Sequence, residues 1–232
     1  MTQNNTIDTV EVRKEYYESG ALRWETPYVN GERNGLDRHY YESGVLWSEL
    51  PYVYGKVHGI AKRYYESGAL WAETPYVSGE KHGIEMTYYE TGALWYETPY
   101  VNGKEHGIEK WYDESGVLER EIPHVNGKMH GISKLYYETG ALRQEAPYVK
   151  GAIHGIGRGF YPSGALSAEV PYVNGKGHGI EKQYFESGVI RKETPWVNGK
   201  RHGIEKYYEI TTLNIVRLAL YDKDREVVFV KI

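Results

Sequence analysis

Seven histidines recur at one spacing: His58, His82, His106, His130, His154, His178 and His202, each 24 residues from the next. Glutamates keep the same step from Glu25 through Glu49, Glu73, Glu97, Glu121, Glu145 and Glu169 to Glu193. An imidazole array could bind a metal, and paired carboxylates could do acid/base work. The spacing argues against both. Two histidines sharing a zinc ion each bind it at about 2.0–2.1 Å, whereas positions two strands apart in a sheet lie roughly 9.6 Å apart. An acid/base pair needs carboxylates in unlike surroundings, and these form a uniform ladder, most with a basic residue expected across the strand. The glutamates therefore read as salt-bridged scaffold. The histidines read as structural, beside proline or bonded to turn backbone, with stability or binding sensitive below about pH 6.5. No nucleophile–base arrangement, phosphate-cradling loop or metal motif is written in the chain. No enzyme, catalytic residue, metal or cofactor is expected.

The elements that hold these residues follow from the repeat. Gly20 to Gly188, Pro27 to Pro195, Gly31 to Gly199 and Gly35 to Gly203 all advance by 24 without a gap. Fixed-period self-similarity is the mark of a repeat architecture. In the unit Tyr88–Trp111, YYETGALWYETPYVNGKEHGIEKW, Asn102-Gly103 is the pair that type I′ hairpins prefer, because both central residues need φ > 0. Glu90–Ala93 is a longer polar turn with glycine. The runs between are rich in Tyr, Trp, Val, Ile and Thr, with no sustained helical spacing.

The expected fold is all-β: an elongated, single-layer antiparallel meander of eight 24-residue hairpin units with a C-terminal β cap. About sixteen strands at roughly 4.8 Å each would make a ribbon about 75 Å long. Residues 1–9 are expected to be disordered, 10–208 to form the array, and 209–232 to form a capping hairpin broken at Asp222-Lys223-Asp224-Arg225. The composition agrees with a thin structure. There are 24 Tyr against 3 Phe and 3 Met, and tyrosine wants one wet end.

Two turn rules set the register. A two-residue turn at Asn102-Gly103 puts Val101 opposite Lys104 and Leu94 opposite Trp111. A four-residue turn at Glu66–Ala69 puts Tyr65 opposite Leu70 and Lys62 opposite Glu73. The same rule pairs Lys110 with Glu121 and Lys182 with Glu193, and lays Tyr100 over Gly83. One face then carries Tyr89, Leu94, Tyr96, Tyr100 and Trp111, and the other Tyr88, Trp95, Val101, Ile108 and the Glu/Lys pairs. Pro99, with no N–H to donate, is expected to end regular pairing and open a glycine-hinged loop.

With scaffold positions locked, specificity belongs where the repeat varies. One such phase reads Arg23, Trp47, Trp71, Trp95, Glu119, Arg143, Ser167, Arg191. Trp47, Trp71 and Trp95 would form an indole stripe along one face, with Tyr96 and Trp111 on the opposite face nearby. These five are the candidate partner-binding residues, since Trp and Tyr are enriched in binding hot spots. The competing role is stacking that stiffens a thin sheet. Gly157, Gly159 and Phe160 mark another irregular unit.

The quoted residues resemble the MORN (membrane occupation and recognition nexus) repeat. Tyr148 with His154-Gly155-Ile156-Gly157 matches its HG-x-G step, and Asn198–Gly203 matches its NGKRHG core. Glu85, Glu109, Ser133 and Glu181 replace the second glycine elsewhere. The wording "YYESGAL…ETPYVNGK.HGIEK" is similar to the variant in bacterial proteins labelled YwqK-type antitoxins. Over residues 10–208 the resemblance implies a meander that binds proteins, or membrane lipids in some members; the antitoxin label implies neutralising a partner toxin.

The expectation is a non-enzymatic protein-binding scaffold of antitoxin or immunity type. A net charge of −4 predicts no nucleic-acid binding. Acidic phospholipid is the second choice. Lys104, Lys128, Lys176 and Lys200 line one turn edge, but they alternate with Glu and His. A structural spacer or edge-to-edge assembler is the third. No cysteine is present. With no signal-peptide pattern or long apolar run, a cytoplasmic protein is expected.

Overall fold

The computed structural model describes residues 8–212 and 214–232. The expected disorder of residues 1–9 falls mostly on residues 1–7, which lie outside those described. Asp8 and Thr9 both bond to Asn30: Thr9 N donates to Asn30 Oδ1 at 2.9 Å, and Asn30 Nδ2 donates to Asp8 Oδ1 at 2.7 Å. The described residues are all-β and hold no helix. The chain divides into two compact units. One runs to Gly107 and includes Trp111–Gly116; the other comprises Ile108–Lys110 and Val117–Ile232.

Each unit is built of antiparallel hairpins that repeat one plan. An eight-residue strand such as Leu70–Val77 turns back through a two-residue strand, Glu80–Lys81, and then a six-residue strand, Gly83–Tyr88. The turn is of the expected hand, with Asn102 at φ 48° and Gly103 at φ 75°. Lys62 faces Glu73, Lys182 faces Glu193, Val101 faces Lys104 and Tyr100 faces Gly83, as the register rules require. The described residues form 27 strands rather than about sixteen: Asn34-Gly35 and its seven His-Gly copies divide the eight return strands in two, and Val10–Tyr16 and the C-terminal hairpin add three more.

Proline does not end the pairing. Pro99 lies inside the strand Leu94–Val101, opposite Ile84. The bend comes from the His-Gly step instead. His82 N donates to the Pro75 carbonyl at 2.9 Å, and Gly83 follows at φ 115°. The prolyl ring sits against that glycine, so the carbonyl is satisfied within its own hairpin and the missing N–H costs no ladder bond. The bend inserts two residues into the return strand: Val125 pairs with Lys128, but Glu121 pairs with Lys134. The expected Leu94–Trp111 pairing fails for this reason, and Trp111 lies against Tyr96 instead.

A second correction concerns the other turn. Tyr65 N donates to Ala69 O at 2.8 Å, so Tyr65 belongs to the turn and Leu70 pairs with Tyr64. Trp71 is left as the extra residue of a β-bulge. The same shift recurs at Trp47 and Trp95.

The buried polar side chains share one face of the hairpins: Thr26, Asp37, Ser48, Thr74, Glu85, Thr87, Thr98, Thr194 and Glu205. These polar groups satisfy one another. Thr26 Oγ1 donates to Asp37 at 2.5 Å, Thr74 to Glu85 at 2.9 Å and Thr194 to Glu205 at 2.9 Å. Neighbouring repeats are tied by tyrosine. Tyr65 hydroxyl donates to the Tyr88 carbonyl at 2.8 Å, and Tyr41, Tyr89, Tyr137 and Tyr161 make the same bond 23 residues on. The hairpin turns form a second ladder, Gly79 N to Val57 O at 2.8 Å being one rung. At Ile215–Asp222 and Arg225–Lys231 a hairpin without the repeat sequence adopts the same device, Asp224 N donating to Arg201 O at 3.0 Å.

Candidate functional site

The bulge determines what the five candidate aromatics do. A bulged residue leaves the strict alternation of the strand, so Trp95 swings beside the turn rather than standing on the face opposite Tyr96. Its ring centroid lies 5.7 Å from Tyr89, 5.2 Å from Tyr96 and 5.7 Å from Trp111. Tyr96 and Trp111 stack at 4.8 Å with an interplanar angle of 26°. The structure thus joins Trp95, Tyr96 and Trp111 in one patch, where the alternation rule had divided them between two faces.

Trp47 and Trp71 remain apart from that patch. Trp47 meets the edge of His39 at 5.8 Å and is 42% exposed. Trp71 packs on Tyr65 at 6.4 Å, with Arg63 over its ring at 5.7 Å. Among the described residues no ring contact joins Trp47 to Trp71 or Trp71 to Trp95. The bulge position has a scaffold function as well: where it is arginine, the guanidinium covers the same turn ring. Arg23 lies over Tyr17 at 5.7 Å, Arg143 over Tyr137 at 5.8 Å and Arg191 over Phe185 at 5.8 Å. Tyr17, Tyr65, Tyr89 and Tyr137 are ring partners here and also tie one repeat to the next.

The glutamate ladder is engaged throughout. Lys14 reaches Glu25 at 3.2 Å and Lys62 reaches Glu73 at 3.1 Å. Arg158 bridges Glu145 at 3.0 Å and Glu169 at 3.2 Å. Tyr136 hydroxyl donates to Glu121 at 2.7 Å and Tyr208 to Glu193 at 2.8 Å. Burial raises the Glu25 pKa, but hydrogen bonds from Lys14 and Tyr40 outweigh it, and the group ends below the usual carboxylate range. Such carboxylates accept hydrogen bonds and hold cations. The repeated histidines use their backbone N–H on proline carbonyls; the His58 ring reaches the next turn at long range, Nδ1 lying 3.4 Å from Ser78 N, and His202 Nδ1 lies 3.2 Å from Asp222 Oδ1. Among the described residues no three of His, Cys, Asp and Glu are grouped to hold a metal ion.

A second apolar surface lies on the face to which the register rules assign Ile108. Ile60, Ile84, Ile108, Ile132, Ile156, Ile180 and Ile204 stand on the face opposite the threonines, between 44% and 54% exposed. Ile132, Pro147 and Ile156 line a shallow hollow of ≈ 280 Å³ between Glu145 and Arg158.

The MORN repeat variant family model matches this chain seven times, at residues 33–54, 57–78, 81–102, 105–126, 129–150, 153–174 and 177–198. No curated protein matches it. Among solved structures it is similar to a chain in the crystal structure of TcdB2-TccC3-Cdc42, at 12% identity and a TM-score of 0.22 over 90% of this chain. The alignment spans only 14% of that chain.

Proposed function

Because the chain belongs to the MORN repeat variant family, we propose that it is a non-enzymatic scaffold that binds another protein. The patch of Trp95, Tyr96 and Trp111 is its contact. The observation that carries this reading is the stacked patch itself. Three bulky aromatics, each only half-buried, come together at phases where other repeats hold Arg, Ser, Ala or Gly. The hydrogen-bonded ladder around them needs little ordering on binding. Rigid Trp and Tyr anchors of this kind dominate protein interfaces. The finer reading, that the partner is a toxin which this chain neutralises, rests on the similarity of its repeat wording to the antitoxin-labelled variant.

The test is affinity capture by the wild type and by a Trp95→Ala/Trp111→Ala variant that keeps its far-UV circular dichroism. A protein held by the wild type and lost by the variant supports the reading. If its expression alone arrests growth and co-expression of this chain restores it, the antitoxin role follows. Equal capture by both forms removes the patch as the contact. Flotation with anionic liposomes and no protein capture would transfer the function to acidic phospholipid.

A further inference from the structure

On the threonine face, two repeats hold a cation over an aromatic ring and beside a carboxylate. The Arg33 guanidinium lies 5.2 Å from the Tyr52 ring centroid, donates to the Tyr52 hydroxyl at 3.0 Å and stands 3.9 Å from Asp37 Oδ2. The Lys81 ammonium lies 4.6 Å from the Tyr100 centroid and 2.7 Å from Glu85 Oε2. Arg201 repeats the ring contact over Tyr221 at 4.2 Å. The repeat thus builds its own cation sites and fills them from within.

One repeat keeps the ring and the carboxylate but carries no side chain between them. Gly177 stands in register with Arg33 and Lys81, Trp196 with Tyr52 and Tyr100, and Glu181 with Asp37 and Glu85. Trp196 Nε1 donates to Glu181 Oε2 at 2.8 Å, which holds the indole beside the carboxylate. Gln183 Nε2 donates to Glu181 Oε1 at 2.8 Å. Among the described residues no lysine, arginine or histidine pairs with Glu181. A cavity of ≈ 420 Å³ opens here, lined by Val170, Tyr172, Lys176, Gly177, Glu181 and Trp196 among others.

Glycine is not required at position 177 by the backbone. It has no positive φ, and a Cβ would meet the Trp196 ring at 3.6 Å, an ordinary contact. Gly177 puts no side chain over the indole, where Arg33 and Lys81 reach across the ring in their repeats. Tryptophan is the strongest of the aromatic partners for a cation, and Glu181 supplies the charge beside it.

We infer that the Gly177–Trp196–Glu181 cavity binds the ammonium or guanidinium head of a lysine or arginine side chain presented by a partner protein. The cation seats over the indole and against Glu181, as Lys81 does over Tyr100 and against Glu85. The site shares no residue with the Trp95 patch and is tested with defined small molecules, so either assignment can fail without the other.

The experiment is titration of the full chain with Nα-acetyl-lysine N-methylamide and Nα-acetyl-arginine N-methylamide, followed by ¹H–¹⁵N NMR of the tryptophan indoles. The Trp196 signal is identified by its loss in Trp196→Phe. A saturable shift of that signal is expected with both cationic probes, and none with the neutral norleucine analogue. Glu181→Gln keeps an acceptor for the indole N–H and is expected to weaken the binding. Gly177→Arg is expected to abolish it by supplying the cation internally. A static Trp196 signal overturns the inference. So does an equal shift with norleucine, or a response retained in a folded Gly177→Arg protein.

Discussion

Gly83 lies directly under the ring of Pro75: a Cβ added to it would come within 2.9 Å of Pro75 Cγ, and its φ is 115°. The pair explains why proline and the His-Gly step recur together. Gly83→Ala meets both a clash and a left-handed backbone, and is expected to cost about 3 kcal/mol. Gly177→Ala meets neither, and is expected to be neutral or slightly stabilising, since glycine loses more freedom on folding. Urea unfolding of the two variants reads the contrast directly.

The bond from Tyr137 hydroxyl to the Phe160 carbonyl, at 2.7 Å, is one rung of the tie between repeats. Tyr137→Phe deletes the donor and keeps the ring, so a loss of about 1 kcal/mol is expected. Hydrogen exchange should quicken in the strands 155–160 and 166–173 more than elsewhere. Uniform acceleration would show that the tie is not local.

Glu205 is fully buried and accepts from Tyr207 at 2.6 Å, from Thr194 at 2.9 Å and from Lys192 at 2.9 Å. Burial raises its pKa, but the hydrogen bonds from Tyr207, Lys192 and Thr194 more than offset this, and the net shift is downward. A carboxyl depressed in the folded state contributes stability above its unfolded pKa and loses it as pH falls through the folded one. Glu205→Ala should therefore cost about 3 kcal/mol at neutral pH by stranding these partners, and less in acid. A deficit unchanged at low pH would refute this.

Tyrosines give the opposite dependence. Burial, then the hydrogen bond to Glu121, lifts Tyr136 to about 12, and burial with Glu193 does the same for Tyr208. The unfolded phenol ionises near its ordinary value of about 10. Between these limits the unfolded chain releases protons that the folded one retains, so stability falls as pH rises through the window. Tyrosinate absorbance at 295 nm should lag behind that of the urea-unfolded chain. The combined Tyr136→Phe/Tyr208→Phe variant should lose less stability between neutral pH and the alkaline limit.

Trp95 and Trp111 meet edge-on at 5.7 Å and 88°, a geometry expected to couple them by about 1 kcal/mol in a double-mutant cycle. Trp47 and Trp71 share no ring contact and should be additive. Coupling of the second pair would restore the continuous indole stripe that the alternation rule implies.

The 24-residue period, the type I′ turn and the pairs Lys62–Glu73, Lys182–Glu193 and Tyr100–Gly83 were all legible in the chain. They depend on local backbone preference and cross-strand chemistry, which each repeat states again. Two one-sided insertions were not legible. The His-Gly bend and the bulge at the tryptophan phase each add residues to a single strand. A hydrophobic pattern cannot reveal which residue is extra; that depends on backbone bonds such as His82 N to Pro75 O and Tyr65 N to Ala69 O, which fix where each strand bends. Trp95 therefore reads as opposed to Tyr96 by simple alternation, yet packs against it.

What the amino-acid sequence determined by itself is the unit: its length, its turns, its β character and the residues free to vary. Only the tertiary structure decided which surfaces those units share. Ile108 and its copies recur like core residues and stand half in water, because one layer of sheet offers them nothing to pack against. Gly177 passes in the sequence as one more glycine. Its meaning appears only when Trp196 and Glu181, 19 and four residues away, are brought beside it by pairing between repeats.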